Sequence, residues 1–61
     1  MIAESKNIGN GSTLITLTKS AKIKNCFQIT WFYKHKDYWI PGKDMQLKNL
    51  FQAYSLYESI N

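Results

Sequence analysis

Sixty-one residues with eight lysines, no arginine, four acidic residues and a formal charge of +4 make one small, basic domain. A chain this short buries only about 60% of the surface its unfolded form exposes, so domains of this size usually carry a staple. One cysteine excludes an intrachain disulfide, and one cysteine with one histidine falls short of the four ligands of structural zinc. Association with another chain is the staple that remains.

Hydrophobic content of 44% with 20% charged residues belongs to a folded protein. The opening MIAESKNIGN has no apolar core of a signal peptide, and no stretch approaches the roughly 20 apolar residues of a membrane span. With a lone cysteine, that composition points to the cytoplasm. Valine and arginine are absent while isoleucine, asparagine, lysine and tyrosine abound, residues with AT-rich codons. A low-GC genome of the phage or mobile-element kind fits that bias.

In chain order, residues 1–11 are mostly polar and end in the turn signal Gly9-Asn10-Gly11. The segment reads equally as a frayed terminus or as an edge strand using Ile2 and Ile8. Residues 12–18 alternate, with Ile15 and Leu17 on one face and Thr16 and Thr18 on the other, which predicts a strand. Residues 19–22 have the length of a hairpin connection. Residues 23–34 carry the strongest strand signal, with Phe27, Ile29, Trp31 and Tyr33 on one face and Cys26, Gln28, Thr30, Phe32 and Lys34 on the other. His35-Lys36-Asp37 turns the chain, Tyr38-Trp39-Ile40 makes a short third strand, and Pro41 stops it for want of an N–H. Pro41-Gly42 then fits the centre of a type II turn.

From Asp44 the apolar period becomes helical, with Asp44 placed as N-cap and Leu47, Leu50, Phe51, Tyr54 and Tyr57 on one stripe. The prediction is an α+β fold in the order β-β-β-α: a meander over 12–41 in a three-stranded antiparallel sheet, and a helix over 44–60 packed on the Phe27/Ile29/Trp31 face. The helix's apolar arc continues through Ala53 and Ile60 to Leu56, roughly twice the ~100° stripe of a surface helix. Ala53, Leu56, Tyr57 and Ile60 are therefore assigned to self-association in a twofold homodimer. The alternative cover for that flank is the N-terminal segment, folded back through Ile2 and Ile8.

For catalysis, Cys26, His35 and Asp37 are the only nucleophile–base–orienter set, and nine extended residues hold the thiol and imidazole far beyond hydrogen-bond reach. No catalytic residue, metal site or cofactor is assigned. Lysines flank two hairpin ends, Lys19, Lys22 and Lys24 at one and Lys34, Lys36 and Lys43 at the other. Together with Phe32, Tyr38 and Trp39 they suit loose contact with phosphates and unpaired bases. The β-β-β-α order also resembles that of the arm-binding domains of some phage integrases, which implies DNA read by a three-stranded sheet. Absence of arginine speaks against base-specific reading, because the guanidinium fork makes the commonest such contact. Lysines at hairpin ends equally keep a small sheet from pairing edge to edge.

Nine aromatics exceed what so small a core can use, and exposed aromatics concentrate at protein interfaces. The leading expectation is a non-enzymatic protein that binds and occludes a protein partner, such as a phage inhibitor of a host enzyme or defence system. Its partner-binding residues are Phe32, Tyr38 and Trp39 with Lys34 and Lys36. The alternative is a low-specificity nucleic-acid binder using Lys22, Lys24, Lys34, Lys36 and Lys43.

Overall fold

A computed structural model describes residues 3–60. Four strands, β1 (Ala3–Ile8), β2 (Thr13–Lys19), β3 (Phe27–His35) and β4 (Tyr38–Leu47), pair antiparallel in sequence order, and helix α1 (Leu50–Ser59) follows. The α+β architecture with one C-terminal helix on one sheet face is as expected, but the sheet has four strands rather than three. The polar N-terminal segment supplies the extra one, pairing with β2 from Ala3 opposite Thr18 to Ile8 opposite Thr13. Gly9, Asn10 and Gly11 all take positive φ (59°, 59° and 86°), a left-handed run in which glycine meets no Cβ penalty. The fourth strand removes the β-β-β-α order on which the resemblance to integrase arm-binding domains rested.

The second correction lies in β4. Pro41 does not end it, and Pro41-Gly42 does not form a type II turn. The strand continues to Leu47 through a register shift opposite Trp31 and Phe32. Proline is tolerated because β4 is an edge strand and the missing N–H falls at a bulge. Asp44 is thus a strand residue opposite Thr30, bonded to Lys22 Nζ at 2.7 Å. That contact holds its carboxyl below the ordinary value of 3.8. The helix begins six residues later than expected, capped by Asn49, whose Oδ1 accepts from the main-chain N–H groups of Phe51 (2.7 Å) and Gln52 (3.2 Å).

Ile15, Leu17 and Ile29 are fully buried beneath Ala53 and Tyr57, with Phe27, Trp31 and Leu47 packed against them. Each aliphatic side chain buried this completely contributes about 1.5–3 kcal/mol. A ten-residue helix is too short to persist alone, so α1 exists because it docks there. It is rolled relative to the expected stripe. Ala53 and Tyr57 face the sheet, Leu56 and Ile60 pack beside them, and Leu50 and Phe51 turn to solvent, Phe51 with 79% of its surface exposed. β1 sets this roll. Tyr54 Oη donates to the Glu4 carboxylate, and Lys6 Nζ donates to the Tyr57 carbonyl at the helix C-terminus.

Ala53 and Tyr57 are consequently core residues of this chain, not surface offered to a second one. The alternative cover is also replaced: Ile8 packs against the core as part of β1 rather than folding over the helix, and Ile2 lies outside the described residues. Among the described residues no helix is long and apolar enough to cross a membrane.

Candidate partner-binding hairpin

The β3–β4 hairpin runs well past the helix. Nine residues of β3 span about 30 Å at the ~3.3 Å rise of a strand, against about 15 Å for the ten residues of α1. The core contacts of β3 end at Trp31, so the stretch from Phe32 to Pro41 has no helix above it. A two-residue connection, Lys36-Asp37 with Lys36 at φ 57°, closes the hairpin and places His35 opposite Tyr38. Their rings meet edge to face, 5.4 Å apart at 68°.

This register sorts the candidate residues onto two faces. On the side that carries the helix, Tyr33 lies opposite Ile40 and His35 opposite Tyr38. Tyr38 is 55% exposed, Tyr33 44% and Ile40 42%, three large side chains in one open cluster. The other face pairs Phe32 with Pro41 and with Leu14 of β2, and Lys34 with Trp39. The Lys34 ammonium sits 5.9 Å from the Trp39 ring centroid, and on the helix side Lys43 lies 4.5 Å from the Trp31 centroid. Phe32, Tyr38 and Trp39 therefore share a hairpin but not a surface. Phe32 is half-buried between its neighbours, Trp39 belongs with Lys34, and Tyr38 belongs with Tyr33 and Ile40.

Tyr33 and Ile40 were missing from the residues expected to bind. The missing signal was turn length. Taking His35-Lys36-Asp37 as a three-residue turn shifts the register by one and hides the alignment of Ile40 with Tyr33. Gly42 adds a feature legible only in three dimensions, because a Cβ there would sit 1.9 Å from Tyr33 Cε2. The absent side chain is the seat of the Tyr33 ring.

The lysines assigned to nucleic acid do not converge. Lys22 and Lys24 lie in the β2–β3 loop at one end of the sheet, Lys34 and Lys36 at the other, with the length of β3 between them. Lys22 is paired with Asp44, and Lys34 and Lys43 lie over indole rings. Lys24 instead lines a shallow cleft with Lys19, Ser20, Asn25 and Phe27. Cys26 is buried just before β3 and His35 ends that strand, so thiol and imidazole are a strand length apart. Among the described residues, no three His, Cys, Asp or Glu side chains group as metal ligands. No family model matches the chain, and no significant match is found among curated proteins or solved structures.

Proposed function

We propose that this chain is a small non-enzymatic binding protein that occludes a protein partner with the β3–β4 hairpin. The supporting observation is the cluster of Tyr33, Tyr38 and Ile40, exposed side by side on one face beyond the reach of the helix. Open aromatic clusters of this kind serve as interface anchors. Lys36 stands in the connection beside this cluster, while Lys34 lies on the opposite face with Trp39, so the complementary surface is an apolar recess with an acidic group near the hairpin tip.

The test is a capture experiment from nuclease-treated lysate with immobilised wild type, a Tyr38→Ala/Ile40→Ala variant and Lys24→Ala. A partner lost with the first variant and retained by the second is the expected result. A gel shift on random DNA that weakens steeply with salt, and that depends on Lys24 rather than on Tyr38, would replace this reading with nucleic-acid binding.

A further inference from the structure

The two edges of the sheet are built differently. β4 is blunted by Pro41, a bulge and Lys43, devices that prevent another strand from pairing. β1, AESKNI, has no proline, no bulge and one lysine, and it pairs on one side only. Its outer backbone groups, turned away from β2, form an open template six residues long.

A second copy of β1 can add there antiparallel about a twofold axis normal to the sheet, which keeps both helices on one side. Residues facing each other then lie on the same face, so the axis must pass through a residue rather than between two. Three central registers satisfy this. An axis at Glu4 sets two carboxylates against each other, and an axis at Lys6 sets two ammonium groups against each other, both unfavourable. An axis at Ser5 places Glu4 opposite Lys6 of the second copy twice over, Ala3 opposite Asn7, and Ser5 opposite itself. Charge thus selects one register of the three.

The helix lies on the same side of the sheet as Glu4 and Lys6. Phe51, Tyr54 and Glu58 line a groove along α1, and Tyr54 reaches out over β1 to Glu4.

We infer that the chain self-associates through β1, in an isologous dimer whose continuous eight-stranded sheet is centred on Ser5. This moves the expected second-copy contact from the Ala53/Tyr57 flank to the sheet edge, and it stands independently of the hairpin's partner. Five paired residues make a small interface, so the dimer dissociates at low concentration.

Ser5 is exposed and stands on the axis, so it tests the dimer without touching the Glu4 and Lys6 contacts to the helix. Sedimentation equilibrium from micromolar to millimolar protein is expected to give a monomer–dimer equilibrium for wild type. Ser5→Lys alone and Ser5→Glu alone should each weaken it by about two- to fivefold, and mixing the two variants should restore it. In a Cys26→Ala background, Ser5→Cys should oxidise to a covalent dimer. Asn7→Cys should not, because it faces Ala3 and its own counterpart lies beyond disulfide reach. A wild type that stays monomeric throughout, or Ser5→Lys and Ser5→Glu chains that dimerise separately as well as wild type does, overturns the proposal. So does cross-linking at Asn7 as readily as at Ser5.

Discussion

Lys6 of β1 donates from Nζ to the main-chain carbonyl of Tyr57, and the same ammonium lies 4.5 Å from the centroid of the Tyr57 ring. One side chain thus joins the first strand to the last turn of the helix, fifty-one residues away. It supplies positive charge where the helix dipole ends negative, and no basic residue of the helix itself does so. Tyr54 and Glu4 repeat the link one turn earlier.

Replacing Lys6 by methionine keeps the apolar stem and removes the charge. The expected cost is about 1–2 kcal/mol, the range of a part-buried hydrogen bond from a charged donor together with its dipole contribution. Urea unfolding followed by circular dichroism checks it. A loss within error of zero would mean that the Lys6 contact does not help to hold the helix.

The N-cap separates the two candidate helix starts. Asn49→Ala should cost about 1 kcal/mol, because it leaves the N–H groups of Phe51 and Gln52 without their acceptor. Asp44→Asn removes only an exposed ion pair with Lys22 and should cost well under about 1 kcal/mol. The reverse ranking in denaturant titrations would place the helix start at Asp44.

Gly42 and Tyr33 should behave as a coupled pair. Gly42→Ala drives a methyl into the Tyr33 ring and forces that exposed ring off its seat. A double-mutant cycle with Tyr33→Ala should return a coupling of about 0.5–3 kcal/mol, with Gly42→Ala nearly free once the ring is gone. Additive effects would show that the ring does not rest there.

Much of this was written in the alternation of the sequence, and the parts that were not have physical causes. The faces of β2 and β3 follow from period-two patterning, so Ile15, Leu17 and Ile29 are legible as core. β1 stays undecided between strand and frayed end because its helix-facing residues include Glu4 and Lys6, which meet the helix through polar heads rather than apolar surface. β4 escapes because Pro41-Gly42 has the composition of a turn and the role of a bulge on an unpaired edge. The roll of the helix turns Ala53 and Tyr57 to the sheet and Phe51 to solvent, a rotation that so broad an apolar arc leaves free. The open cluster of Tyr33, Tyr38 and Ile40 needed the length of one turn, a quantity that alternation leaves free.

The last consequence concerns base. The hydrogen bond to Glu4 is the main cause that raises the Tyr54 hydroxyl above its ordinary value of 10.0, and burial raises Tyr57 in the same direction. A group whose pKa is raised on folding lends stability that is whole below the unfolded value and is lost as pH climbs through the folded one. Here the phenol must keep its proton to donate to the carboxylate, so the fold should hold at neutral pH and weaken above 10.0. Tyr54→Phe lacks both the bond and its titration. It should be the less stable protein at pH 7 and should lose less of its stability between neutral and strongly alkaline conditions, a residual slope remaining from Tyr57. Thermal unfolding across an alkaline series, with wild type and Tyr54→Phe side by side, tests this. Parallel curves for the two would remove the Glu4 contact as a determinant of how β1 meets the helix.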